Sequence, residues 1–104
     1  MSSRDWRERV QDILAAVNEI EAFTAGMDFE SFRRDQKTVR AVEMNFIIIG
    51  EAAASIPEKI VEVHPNVPWH LMRGMRNRIV HAYFTVDEKT ARISSSSLSR
   101  LLST

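Results

Sequence analysis

The chain has 104 residues, 44% of them hydrophobic, and its 14 basic and 14 acidic side chains cancel. That length suits one domain with a modest core, and zero net charge excludes a general polyanion binder, so any contact with nucleic acid must be local. Cysteine is absent, which excludes disulfides, thiolate zinc sites and a cysteine nucleophile. The longest apolar run, residues 44–50 interrupted by Asn45, is too short to span a bilayer. The N-terminus is charged from Arg4 onward and has no signal-peptide core, so a cytoplasmic protein without membrane contact is expected.

Residues 4–25 read as a first helix, because Trp6, Val10, Ile13, Leu14, Val17 and Ile20 recur at spacings of three and four. Ser2 or Ser3 is the expected cap, and Gly26 the stop. Residues 27–37 form a connector with a turn of helix over 29–33, pinned to the core by Phe29 and Phe32. Arg33, Arg34 and Lys37 make a small basic cluster there, either a solvated loop or a contact for RNA backbone. Asp35 is placed to cap the second helix, residues 37–55. Val39, Val42, Phe46, Ile49 and Ala53 form its core stripe. Ile47, Ile48, Ala52 and Ala54 widen the apolar surface beyond what one neighbour covers, which argues for a homodimer. Glu51 lies in this surface and calls for a cationic partner. Arg76 or another downstream arginine is the candidate, as a purely structural pair or a functional one.

Pro57 opens a short helix over 58–64, Pro65 stops it, and Pro68 starts a third long helix over 69–84. Gly74 inside that helix costs about 1 kcal/mol against alanine and permits close approach of another helix or of RNA backbone. Within it, residues 72–84 carry Arg73, Arg76, Asn77, Arg78, His81 and Tyr83, with no acid between Glu62 and Asp87. On a helix, Arg76 and Tyr83 share one stripe, and Asn77 and His81 are neighbours on another. Histidine moves protons near neutral pH, and arginine grips phosphate oxygens with a planar fork. Such a set suits cleavage of RNA without metal: His81 as base or acid, the ribose 2′-hydroxyl as nucleophile, Arg76 stabilising the phosphate charge. Histidine near arginines at a helix end is also an ordinary surface or capping group. His64, His70 and His81 have spacings that do not suit a metal site, so no metal is expected.

The spacing Arg-x4-His-x-Tyr, met by Arg76, His81 and Tyr83, resembles the motif of the HEPN superfamily and, within it, the HepT-like toxins. Asn77 after the arginine, the Ile49-Gly50-Glu51-Ala52 segment, the start from Arg4-Asp5-Trp6 and Asp35 are similar too. The resemblance implies an all-α fold, an antiparallel helical bundle of three longer helices plus short helical turns, with residues 1–89 as the HepT-like domain. It implies a homodimer whose motif helices build a composite cleft. It also implies a metal-independent endoribonuclease toxin acting on tRNA or mRNA, with Arg76 and His81 catalytic, Asn77 and Glu51 supporting, and Arg73 and Arg78 binding RNA. No cofactor is implied for the chain itself. The partner would be an antitoxin of the minimal nucleotidyltransferase type, MntA, that uses ATP to AMPylate Tyr83. Residues 90–104, with serines at 94–97, depart from the apolar final helix usual in such proteins and read as an atypical tail. Two other readings remain: a non-catalytic HEPN-like module that partners a nucleotidyltransferase, and a structural dimer seam in which the polar groups fix register.

Overall fold

A computed structural model describes residues 5–76 of the chain. The described part is all-α, with no strand among its residues: α1 Trp6–Thr24, α2 Phe29–Arg34, α3 Gln36–Ala54, α4 Glu58–Val63 and α5 Trp69–Arg73. The two 19-residue helices, α1 and α3, form the body of the bundle. They run antiparallel: Asn45 of α3 reaches Glu19 of α1, while Ile48, further along α3, shares a groove with Asp12 and Ala15, further back on α1. α5 packs on α3.

The three-and-four spacing of α1 is realised as a buried stripe of Val10, Ile13, Val17 and Ile20, each no more than 1% exposed. α1 begins at Trp6, two residues later than expected. Its cap is Asp5, whose carboxylate accepts the Arg7 N–H at 3.0 Å and so satisfies one of the helix's orphan donors. Ser2 and Ser3 lie outside the described residues. At the other end Gly26 takes φ +76°, a conformation that glycine adopts without a Cβ clash, and the chain turns toward α2.

Asp28 caps α2 by accepting the Ser31 N–H at 2.8 Å. That bond holds the Asp28 carboxyl below its usual value of 3.8. Its contribution to α2 is therefore complete above that value and is lost as pH falls through the lowered one. The six residues of α2 make fewer than two turns, and one aromatic, not two, is seated in the core. Phe32 is 3% exposed, whereas Phe29, expected beside it, is 39% exposed. Asp35 then caps α3, accepting the Thr38 N–H at 3.1 Å.

The core lies between α1 and α3, with Phe46 at its centre, and is closed by Phe32, Ile56, Val67, Trp69, Met72 and Met75. Asn45, the polar residue that interrupts the apolar run, is 3% exposed. Its amide donates to Glu19 Oε1 at 3.2 Å and to the Ala41 carbonyl at 3.1 Å, so its burial leaves neither N–H unpaired. Of the residues expected to widen the apolar surface of α3, Ile48 and Ala54 are exposed and Ile47 is half-buried, but Ala52 is buried in the core; Met44 is exposed as well.

Pro57 and Pro68 sit just before α4 and α5, where a missing N–H is harmless. The third long helix is interrupted. α5 ends at Arg73 with Gly74 as its cap, and residues 75–76 form a tighter 3-10 turn. Glycine's poor helix propensity weakens the helix at this point, and the burial of Met75 and the seating of Arg76 on α3 draw the chain inward. Residues 77–84 lie outside the described residues.

Phe46 is fully buried, so Phe46→Ala should lower unfolding stability by about 3–5 kcal/mol. Asp35→Ala, which removes a single cap bond, should lower it by about 1 kcal/mol. Urea denaturation followed by circular dichroism checks both values and their order.

Candidate active site

The site is built where the C-terminal half of α3 meets the chain after α5. Gly50 is buried on α3. A Cβ placed there would sit 3.0 Å from both the backbone nitrogen and the Cβ of Arg76, closer than side chains normally tolerate. Glycine at this position lets the backbone of residue 76 lie directly on the helix. The next residue on α3, Glu51, takes the Arg76 guanidinium in an ion pair. The two side chains are 54% and 55% exposed. The expected partnership of Glu51 with Arg76 is therefore present, but at the surface rather than in a buried apolar seam. At such exposure it contributes only about 0.2–1 kcal/mol.

Arg73 behaves differently. Its Nε donates to the Ala53 carbonyl at 3.1 Å, Nη2 to the Ile56 carbonyl at 3.3 Å, and Nη1 to Glu58 at 2.9 Å. α3 has no basic residue of its own in its last turn. Arg73 therefore brings a cation, with hydrogen-bond donors, to a helix end whose carbonyls lack intrahelical partners. Three of its five N–H donors thus go to the protein, although the sequence pattern pointed this side chain toward RNA. Ser55 completes the same helix end, its Oγ donating to the Glu51 carbonyl at 3.0 Å.

The site at Arg76 consequently has one arginine fixed from behind and one presented at the surface. A guanidinium offers five donors in a planar fork, more than one carboxylate contact uses, which is the arrangement needed to take up the oxygens of a phosphate. Asn77, Arg78, His81 and Tyr83 lie outside the described residues. A close approach of backbone is found at Gly50 of α3. Its sequence signal was a glycine in the middle of an otherwise apolar helix, where a packing reason is the usual explanation.

The arginines of the second basic cluster are paired within α2 and stay exposed to solvent. Arg33 and Arg34 both turn to Glu30, at 2.8 and 3.8 Å, and Arg33 lines a shallow groove with Gln36, Val39, Arg40 and Glu43. Among the described residues no cluster of three or more His, Asp or Glu is placed to hold a metal ion, and no helix is long and apolar enough to cross a membrane.

The chain is similar to proteins of a known family. The family described as ribonuclease HepT-like matches residues 13–101, continuing past residue 89 into the serine-rich tail. A protein of Thermococcus cleftensis named "Probable ribonuclease HepT" is 43% identical over 84 residues, which are 81% of this chain and 76% of that protein. Two Methanocaldococcus jannaschii proteins, each named as a "Putative RNase", are 37% identical over 87 residues and 38% over 90. The first alignment takes in 84% of this chain and 72% of the relative, the second 86% and 78%. No solved structure matches the chain. The all-α bundle, with Gly50 and Glu51 against Arg76, is of the HEPN-like class. Within it, this chain belongs to the HepT-like family.

Because Arg73 holds the end of α3 through two backbone carbonyls, Arg73→Ala should lower stability by roughly 1–3 kcal/mol. Arg73→Lys should recover only part of it, since one ammonium cannot span positions that a planar fork reaches together. Thermal and urea unfolding of the two variants measure this.

Proposed function

We propose that this protein is an endoribonuclease toxin that cleaves RNA, tRNA or mRNA, in the cytoplasm without a metal ion or other cofactor. The family and the ribonuclease names of its relatives support the reaction class. The observation that carries the reading is the half-exposed Arg76 guanidinium, its backbone seated on Gly50 and its charge met by Glu51. In this reading His81 takes the proton of a ribose 2′-hydroxyl, and the resulting oxygen attacks the adjacent phosphorus. The 5′-oxygen leaves with a proton, and Arg76 stabilises the charge that builds on the phosphate oxygens. Asn77 orients His81, and Arg78 contributes a phosphate contact. Arg73 acts from behind, by holding the helix end against which Arg76 sits.

Two chains form the working unit, with their motif helices opposed. The exposed Met44 and Ile48 of α3 are the kind of apolar surface a homodimer covers. An MntA-type nucleotidyltransferase antitoxin silences the toxin by transferring AMP from ATP to the Tyr83 oxygen. The added phosphate puts bulk and negative charge where the RNA phosphate must lie, beside Arg76.

The test is cleavage of end-labelled tRNA and mRNA in EDTA. The unmodified parent should cut. His81→Ala and Arg76→Ala should lose roughly 10²–10⁴-fold in rate while keeping the parent's circular dichroism. Absence of cutting by a parent that mass spectrometry shows to be free of AMP would defeat the nuclease reading.

A further inference from the structure

We propose that Glu51 stands in for the substrate phosphate: its carboxylate occupies Arg76 in the free protein, and an incoming phosphate displaces it. This rests on the reading of Arg76 as the phosphate-binding arginine. Three features support the exchange. The backbone of residue 76 lies directly against Gly50, 3.0 Å from where a Cβ would be. The side chain can swing, because both members of the pair are about half exposed, and an ion pair that open to water resists displacement by only a few-fold. Glu51 itself stays in place on the last turns of α3, where the Ser55 hydroxyl ties its carbonyl. A phosphate carries more charge than a carboxylate and engages a guanidinium through two parallel bonds, so it wins the exchange once it is close.

Glu51 then has two opposed effects. It repels and competes with the phosphate, which weakens binding, and after displacement its carboxylate, still beside the guanidinium, limits the directions that side chain can take. Glu51 is therefore a positioning residue that trades affinity for orientation.

The experiment is a titration with inorganic phosphate followed by phosphorus NMR, paired with steady-state cleavage of RNA. Glu51→Gln should bind phosphate roughly threefold more tightly than the parent, and should show a lower KM for RNA together with a lower kcat. Glu51→Asp, which keeps the charge but draws it back by one methylene, should fall between the two and serves if the glutamine variant fails to fold. Gly50→Ala, whose Cβ obliges residue 76 to give by a few tenths of an ångström, should weaken phosphate binding. Phosphate binding that is unchanged or weaker in both Glu51 variants would overturn the proposal, as would binding that survives Arg76→Ala. A parent that binds phosphate in this order but cuts no RNA would remove the nuclease reading and leave the exchange standing.

Discussion

The geometry of the candidate site depends on how closely the chain at residue 76 can lie on α3. A helix normally keeps a neighbouring backbone at a distance set by its side chains. At Gly50 that spacer is missing, and the nitrogen and Cβ of Arg76 come to 3.0 Å from where a methyl group would be. Around this point the packing is tight: Ile49 and Ala53 of α3, and Met72 and Met75 of the facing segment, are all fully buried. A close-packed interior of this kind transmits small displacements. The backbone of Arg76 is thus placed by the core, while its guanidinium is directed by the ion pair with Glu51.

Arg73 and Arg76 show how local surroundings assign different roles to the same side chain three residues apart. Arg73 is 28% exposed and meets backbone carbonyls as well as Glu58. The Ala53 carbonyl also accepts from the Ile56 N–H, so the Arg73 guanidinium adds to a helix end that the backbone already closes. Arg76 is about twice as exposed and meets a carboxylate, and water and other anions compete for it on equal terms. One guanidinium braces the scaffold while the other remains exchangeable. Arginine suits both tasks because its charge never titrates and its donors form a rigid fork.

Much of this was legible from residue order. The periodicity of α1 and α3, the Asp35 cap, the prolines ahead of α4 and α5, and the pairing of Glu51 with Arg76 follow from spacing and charge, which act locally or call for a single partner. The departures are informative in the same terms. Ser2 and Ser3 looked like caps because serine is a good one, but Asp5 stands nearer the first apolar residue of the stripe, Trp6. Phe29 looked like a core anchor because it is aromatic, yet a helix of six residues seats only Phe32. The break at Gly74 and the use of Arg73 as a brace depend on where α3 ends in space, and no periodicity encodes that. Gly50 was visible as a letter in a family-like segment; its physical purpose appears only when residue 76 is seen lying on it.

The brace at Arg73 also bears on the order in which the molecule is made. The carbonyl of Ala53 receives its side-chain donor from a residue 20 positions later, and the carbonyl of Ile56 from one 17 later. During synthesis the last turn of α3 therefore emerges before the side chain that braces it, closed until then by the Ser55 hydroxyl and the Ser55 and Ile56 N–H groups. The helix pair α1 and α3 has its large buried side chains in hand by residue 49 and can collapse first. Closure of the Arg76 region comes afterwards, as a second event. A ribonuclease assembled in that order would carry Arg76 at its surface only once the rest of the body had formed.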